Sequence, residues 1–262
     1  MKPENGDSRP ALPLDLPPAL TPRVVFEDTH VLVVSKPSGL LSQGEETGDV
    51  NLVDWARGHV GRHYVGLIHR LDRNTSGLMV LAKRSKAAAR LTEALQKGTL
   101  LREYEAWVHG SLQGKQVWTH TLVKDERTNL SRAYPVQRGA LPQKSGGWTE
   151  RKNSPEKISP KEARLCAEAL ENSHWRGAPI TRVRYRLETG RSHQIRAQSA
   201  AEGHPLLGDP KYSGRADGFP RLALHSVFLE FPHPMSQEVL SFEDSLPSEL
   251  QKLSAGVNLR AP

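Results

Sequence analysis

The stretch YVGLIHRLDRNTSGLMVLAK, residues 64–83, predicts the local architecture around which the chain is organised. Two short apolar runs, 64–68 and 78–82, flank a polar segment. Within that segment Thr75, Ser76 and Gly77 favour a turn. The pattern therefore predicts strand, loop and strand, with the polar loop at the mouth of a buried strand.

The charged residues of this stretch fall in the predicted loop. His69, Arg70, Asp72 and Arg73 lie close together, so one carboxylate occurs among two guanidinium groups and an imidazole. Nearby positive charge favours the ionised form of a carboxyl group. An ionised carboxylate on a rigid loop is a candidate nucleophile or general base. The alternative is that Asp72 only makes the local hydrogen bonds that are typical of aspartate in turns.

The composition favours a polyanionic partner. The chain has 262 residues, with 36 Lys plus Arg against 29 Asp plus Glu, a formal net charge of +7 and a pI near 9.6. Nucleic acid is the expected partner of such a chain, and a generic basic surface is the alternative.

Cysteine usage and hydropathy indicate a cytoplasmic protein. Cys166 is the single cysteine, which excludes an intrachain disulfide and a zinc site built on paired cysteines. The sequence shows neither a signal-peptide core nor an apolar run near the ~20 residues of a membrane helix. We expect no metal and no cofactor, no membrane association, and a monomer as the default state.

The remaining pattern predicts a proline-rich extended arm over 1–22 and a single domain over 23–262 with a variable insertion at about 111–162. Within the insertion only Val117 to Val123 is expected to form a strand, and the rest is expected to be a surface excursion. We expect a hairpin over 24–34, strands near 100–109, 163–170, 180–187 and 222–231, and helices near 52–59, from a cap at Ser85 to Gly98, and over 246–253.

A second informative segment spans residues 181–208. Arg182, Arg184 and Arg186 alternate along one face of a predicted strand, a row suited to tracking phosphates. Arg191 lies where this strand gives way to a helix, so its side chain could be aimed into a cleft and pair with a carboxylate, or simply be solvated. The first turns of that helix hold His193, Gln194 and Arg196.

Together these segments resemble one family. HRLDRNTSGLMVLAK at 69–83, REYEAWVHG at 102–110 and LETGRSHQIR at 187–196 are similar to the RluA-type pseudouridine synthases, which modify RNA. VVSKPSG at 33–39, GHPLLGDPKY at 203–212 and RLALHSVFLEFPHP at 221–234 extend the resemblance from about Val24 to Pro234, in the family's order.

The resemblance implies an α+β fold, a mixed and mostly antiparallel sheet flanked by helices and loops, with the active site in a central basic cleft. It implies that Asp72 is the catalytic aspartate, that Tyr104 stacks on the target base and could act as a base, and that Arg191 pairs with the aspartate. Arg70 would enter the RNA and help to hold the target nucleotide out. The expected partner is ribosomal or transfer RNA with the target uridine in a structured loop, and the expected RNA contacts come from Arg70, Lys36, Arg73, Arg182, Arg184, Arg186, His193, Gln194 and Arg196.

Departures from the family pattern limit how far the family's residue roles apply to this chain, and two alternative functions stay open. The family often has histidine where this chain has Gln198, and 111–162 does not align readily. No room is expected before Val24 for the small RNA-binding domain of some relatives. The sequence leaves open an RNA-binding or ribosome-assembly factor that uses the fold without the chemistry. It also leaves open, more weakly, an aspartate-based hydrolase.

Overall fold

The computed structural model describes residues 16–45, 48–125, 127–136, 160–214 and 216–254. A 3-10 turn lies at Pro18–Leu20, and the α-helices are α1 (Leu52–Val60), α2 (Ser85–Gln96), α3 (Gln194–Ala201), α4 (Pro210–Ser213) and α5 (Ser248–Gln251). The strands are β1 (Arg23–Glu27), β2 (Val31–Lys36), β3 (Gly66–Leu67), β4 (Ser76–Ala82), β5 (Leu101–His109), β6 (Lys115–Asp125), β7 (Leu130–Pro135), β8 (Lys161–Trp175), β9 (Ala178–Leu187), β10 (Leu224–Pro232) and β11 (Val239–Glu243).

The chain divides into two compact units, and each is discontinuous in sequence. The first runs to Arg102 and resumes over Ser226–Ser245, and the second runs over Glu103–His225 and resumes at Leu246. The boundaries therefore fall inside β5 and β10. That 23–262 acts as a single domain stays a prediction.

In the first unit the strand order is β1-β2-β4-β10, with β3 beside β4 and β11 beside β10. The pairs β1/β2, β2/β4, β3/β4 and β10/β11 are antiparallel. Every residue of β4 is buried. On one face of the strand, α2 packs Ala87 and Leu91 onto a core that contains Val80. Leu229 and Phe231 of β10 belong to the same core.

In the second unit the strand order is β5-β9-β8-β6-β7, and each neighbouring pair is antiparallel. Helix α3 covers one face, where Ala197 packs with Leu122 and Ala163. Near the end of the described chain Leu250 is fully buried, and its carbonyl accepts a hydrogen bond from Trp107 Nε1 at 3.0 Å.

The structure confirms the predicted hairpin, the strand-loop-strand at 64–83 and the helix at 52–59. Two strands, β7 and β11, were not predicted, because each is defined by pairing with its neighbour rather than by strong alternation of its own residues. Ser85 is the first residue of α2 and not its cap; Arg84 occupies the cap position without a side-chain hydrogen bond. The last helix is shorter than expected, since it begins only after Pro247.

Parts of two predicted segments lie outside the described residues: positions 1–15 of the arm, and positions 126 and 137–159 of the insertion. Among the helices in the described ranges, none combines the length and apolarity that a membrane crossing requires.

Candidate active site

The loop between β3 and β4 carries Asp72, and the main chain is held on both sides of that residue. The Ser42 hydroxyl donates to the carbonyl of Leu71 at 2.7 Å and accepts the Leu71 N–H at 3.1 Å. On the other side, the carbonyl of Arg73 accepts the N–H of Gly39 at 2.8 Å. Asp72 itself is partly exposed. A rigid main chain thus presents a carboxylate at the surface of the first unit.

The structure corrects the assignment of Lys36 to RNA contact. Its side chain is fully buried, and Nζ donates to the carbonyls of Pro37, Leu40 and Arg73 at 3.0, 2.7 and 3.1 Å. A buried ammonium must be satisfied by acceptors, and these carbonyls supply them. Lys36 therefore braces the turn that follows β2 against the Asp72 loop, and its charge is not presented to a phosphate.

His69 does not add a third positive charge beside Asp72. It is buried, and Nε2 accepts the N–H of Val80 at 3.3 Å, so this nitrogen carries no proton. Burial, reinforced by the nearby Arg102 guanidinium, lowers the pKa of His69 to about 3. The imidazole is neutral near pH 7 and acts as an internal acceptor that fixes the start of the loop on β4.

The two arginines of the loop, Arg70 and Arg73, differ in whether the side chain already has an ion-pair partner. Arg73 donates from Nε to the carbonyl of Gly39 and from a terminal nitrogen to Asp49 at 2.8 Å, so its predicted RNA contact competes with an existing ion pair. Arg70 is exposed, and no ion pair among the residues described involves it. The structure therefore leaves Arg70 as the loop cation that is available to a ligand.

Tyr104 lies on β5 in the second unit. It is 3% exposed and is directly opposite Tyr185 in the antiparallel pairing of β5 with β9, so the two rings share a face of the sheet. The Tyr185 hydroxyl lies 2.8 Å from the Ser199 hydroxyl of α3, and burial raises the pKa of Tyr185 well above its usual value. The α3-covered face of this sheet is thus the one that carries Tyr104.

The predicted arginine row lies on the opposite face. Arg184 is opposite Glu105 and Arg182 is opposite Trp107, so both lie an odd number of positions from the Tyr104–Tyr185 pair and point to the other face. Glu105 accepts from Arg184 at 2.7 Å, and this hydrogen bond is the main reason that the pKa of Arg184 is raised. Arg182 lies 3.1 Å from Glu171. Arg186 also lies on this face, opposite Glu103.

That this row of arginines tracks RNA phosphates stays a prediction. Its alternation was predicted, but neighbouring strands place carboxylates between the arginines, so Arg182 and Arg184 already have ion-pair partners. The ion pairs of Arg182 and Arg184 stabilise the association of β9 with its neighbours β5 and β8.

The strand-to-helix junction that carries Arg191 is organised by Gln194. The buried Gln194 side chain accepts the hydroxyl of Thr189 at 2.8 Å and the main-chain N–H of Arg191 at 2.9 Å, and donates to the carbonyl of Arg164 at 3.2 Å. Arg191 itself is exposed, and its Nε donates to the carbonyl of Glu162 at 3.0 Å. Gln194 is therefore a positioning residue and not the RNA contact that was predicted.

Arg196 likewise faces inward. Its guanidinium binds both oxygens of the buried Asp209, at 2.7 and 2.8 Å, and lies 4.9 Å from the centre of the Tyr212 ring. His193 has a left-handed main chain with φ of 54°, and its Nδ1 lies 2.9 Å from the Tyr212 hydroxyl. The same hydroxyl accepts the N–H of Ser131 at 3.0 Å.

Asp209 and Tyr212 are site residues that sequence reasoning missed. Both lie in GHPLLGDPKY, a segment already noted as part of the resemblance, and that was the available signal. They hold Arg196 and His193 in the helix that follows Arg191, so they act on the junction indirectly.

Gln198, the departure from the family pattern, is fully buried. Its amide nitrogen lies 3.0 Å from His120 Nδ1 and within 3.3 Å of the carbonyls of Trp118 and Ala163. Burial lowers the pKa of His120, while Glu202 at 3.2 Å acts in the opposite direction. Gln198 thus packs α3 onto β6 and β8, which is a structural role.

Of the predicted catalytic residues, Asp72 belongs to the first unit, and Tyr104 and Arg191 belong to the second. Around these residues, and throughout the described ranges, no group of three or more His, Cys, Asp or Glu side chains is arranged to hold a metal ion.

Comparison with known proteins identifies the family of this chain. Residues 30–201 match the profile of the family described as RNA pseudouridylate synthase. The chain belongs to this family. Ribosomal large subunit pseudouridine synthase D of Vibrio cholerae, a relative of the RluA type, is 32% identical over 250 residues, which cover 88% of this chain and 69% of that protein. The RNA pseudouridine synthase YhcT of Bacillus subtilis, itself uncharacterized, is 32% identical over 238 residues, covering 88% and 70%.

Comparison with solved structures also identifies the pseudouridine synthase fold. Human RNA pseudouridylate synthase domain containing 1 superposes with a TM-score of 0.70 at 23% identity, covering 93% of this chain and 90% of that one. This RNA pseudouridine synthase is therefore an isomerase of the RluA type, built on the expected α+β fold, and RNA is its partner.

Proposed function

We propose that this pseudouridine synthase isomerises uridine in ribosomal or transfer RNA with Asp72 as the nucleophile, and that large-subunit ribosomal RNA is the first substrate to test. The ribosomal choice is supported by the names of relatives such as that of Vibrio cholerae.

The reaction rearranges bonds without oxidation or reduction. The bond between the sugar C1′ and the base N1 breaks, the uracil turns, and a new bond forms between C1′ and C5. C5 loses a proton and N1 gains one, so atoms and electrons balance without an external donor. A carboxylate can assist by attacking the sugar, by attacking the base, or by removing a sugar proton.

One observation carries the assignment of Asp72. Its two neighbours, Leu71 and Arg73, are fixed by hydrogen bonds from Ser42, Gly39 and the buried Lys36. Such a loop holds the carboxylate in place before substrate binds, which is the preorganisation that a nucleophile needs. A turn aspartate with only a local role would not require this support.

Three other residues complete the proposal. Arg191 pairs with the Asp72 carboxylate, while Tyr104 stacks on the detached uracil and orients it for reattachment. Arg70 enters the RNA when the uridine leaves its stack, a step that costs a few kcal/mol and least in loops and bulges.

The decisive experiment compares the wild-type chain with Asp72→Asn on a large-subunit ribosomal RNA transcript. We expect RNA affinity to stay within about twofold and pseudouridine formation, mapped with a carbodiimide reagent, to be lost, because the amide keeps the shape but not the nucleophilicity. Residual turnover by clean Asp72→Asn protein would refute the assignment. Release of free uracil by the wild type would instead indicate a hydrolase.

Pseudouridine mapping in cells that lack the protein tests the substrate. Loss of a signal from large-subunit ribosomal RNA supports the proposal, whereas loss only from transfer RNA assigns the enzyme to that class.

A further inference from the structure

Several cations at the surface of the first unit have a carboxylate partner. The ion pairs are Arg23 with Asp244, Arg57 with Asp54, Arg73 with Asp49 and Lys97 with Glu93. Besides Arg70 of the Asp72 loop, three exposed cations, Arg62, Arg84 and Lys86, take part in no ion pair within the part of the chain that the structure describes. These three therefore carry charge that is available to an outside ligand.

The three cations come from two segments that run side by side. Gly66 of β3 is opposite Ala82 of β4, so the chain before Gly66 approaches the chain after Ala82. Tyr64 lies against α2, because a methyl group added to Gly66 would meet both its hydroxyl and the Ala88 methyl at 2.9 Å. We call the resulting patch the α2 basic surface; its members are all exposed, namely Arg62, His63, Tyr64, Arg84 and Lys86.

The neighbouring carboxylates do not neutralise this surface. The turn between β1 and β2 adjoins Lys83, whose N–H donates to the carbonyl of His30. Of the two carboxylates there, Glu27 pairs with Lys83 at 2.7 Å and with His59 at 2.8 Å, while Asp28 accepts main-chain N–H groups and lies 2.9 Å from His233.

Helix α2 adds to the positive potential. Its first turn contains no acidic residue, and its N-terminus has no side-chain cap. The positive end of the helix dipole therefore points at the same place as Arg84 and Lys86, an arrangement that an anion would stabilise.

The surface is separate from the Asp72 loop. That loop enters β4 at Ser76, whereas the α2 basic surface adjoins the other end of the strand, at Ala82. Seven residues at about 3.3 Å each place the two ends roughly 20 Å apart. A stacked nucleic-acid strand covers that distance in about six nucleotides at about 3.4 Å each.

We propose that the α2 basic surface binds the phosphate backbone of the double-stranded RNA stem that flanks the target loop. The proposal rests on the proposed function, because Asp72 fixes where the loop lies. Double-stranded RNA is recognised by its phosphates and 2′-hydroxyls more than by its sequence. Arg62, Arg84 and Lys86 supply the phosphate contacts.

Binding of two RNA hairpins tests the proposal. Both carry the same uridine loop, one on a stem of about four base pairs and the other on a stem of about twelve, since only the longer stem extends beyond the roughly six-nucleotide span. The wild-type chain should bind the longer stem more tightly. The variant Arg62→Gln/Arg84→Gln/Lys86→Gln should lose this difference and about 3 units of the slope of log K against log salt, because each phosphate contact contributes about one.

A control variant, Arg57→Gln/Lys97→Gln/Lys115→Gln, removes the same number of charges at positions that already have carboxylate partners. It should keep both the stem preference and the salt slope. The conservative variant Arg62→Lys/Arg84→Lys should also keep them, which guards against misfolding as the cause.

Two outcomes would overturn the proposal: equal losses in the two triple variants, or a loss of affinity that is the same for both stems. Neither of these two outcomes depends on whether the protein forms pseudouridine. If the wild-type chain forms no pseudouridine in any RNA, the proposed function fails, while the stem measurement still decides what this surface binds.

Discussion

Ser42 and Leu71 are joined by two hydrogen bonds that share one hydroxyl oxygen, which donates to the Leu71 carbonyl and accepts the Leu71 N–H. The two residues are 29 positions apart, and Leu71 immediately precedes Asp72. This contact fixes the peptide on which the carboxylate is mounted.

Replacement Ser42→Ala should therefore lower turnover more than RNA binding. A buried carbonyl and N–H would lose their partner, at a cost of about 1–3 kcal/mol in the free energy of unfolding. Small displacement of a reacting group is costly, so kcat should fall by about tenfold or more. Urea unfolding and single-turnover kinetics measure the two effects. Ser38→Ala, which removes an exposed hydroxyl bond to Asn74, is the matched control and should leave both nearly unchanged.

Stability should depend on pH through His69. Its pKa is about 3 in the folded protein, against an ordinary value of 6.5, so the unfolded chain binds the proton first as pH falls. The contribution of His69 is complete above about pH 6.5 and is lost progressively as pH falls towards about 3, with a slope of at most ~1.4 kcal/mol per pH unit.

In His69→Gln the amide can still accept the Val80 N–H but does not titrate. The difference in unfolding free energy between wild type and variant, measured by urea titration from pH 7 to pH 4, should change steadily in favour of the variant. A difference that stays constant over this interval would mean that His69 is not buried as a neutral group.

Arg184 should contribute to stability and little to RNA binding. Arg184→Gln removes the partner of the buried Glu105 and should lower the free energy of unfolding by about 1 kcal/mol. The salt dependence of RNA affinity should stay within experimental error of the wild type. A decrease of about one unit in the salt slope would restore Arg184 to the RNA-binding set.

Arg191→Ala should lower kcat more than it raises the RNA dissociation constant, because its proposed partner is the Asp72 carboxylate. Arg164→Ala removes an equal charge from the same unit, at a residue paired with Glu188, and should leave kcat close to that of the wild type. If Arg191→Ala mainly weakens affinity and spares single-turnover rate, Arg191 is an RNA-binding residue.

The sequence predicted the elements that rest on short-range patterns. The apolar run of β2, the amphipathic faces of α1 and α2 and the turn after Asp72 are encoded by neighbouring residues. Strands β7 and β11 could not be recognised in this way, because their strand conformation depends on pairing with β6 and β10.

The roles of polar residues were harder to predict, because they also depend on contacts with distant segments. The sequence shows that Lys36, Gln194 and Arg196 are polar, but not that each meets buried acceptors supplied by other segments. Similarly, alternation predicted that Arg182, Arg184 and Arg186 share a face. It could not predict that β5, some 80 positions earlier, would place Glu105 beside Arg184.

Both units take part of their core from segments that follow residue 225. Leu229 and Phe231 fill the first unit, and Leu250 and Leu253 are buried in the second. During synthesis on the ribosome, neither unit can close its apolar interior until these last segments have emerged. A nascent chain halted near residue 225 would leave both interiors open, so a chaperone that recognises exposed apolar surface should bind that intermediate and release the finished enzyme.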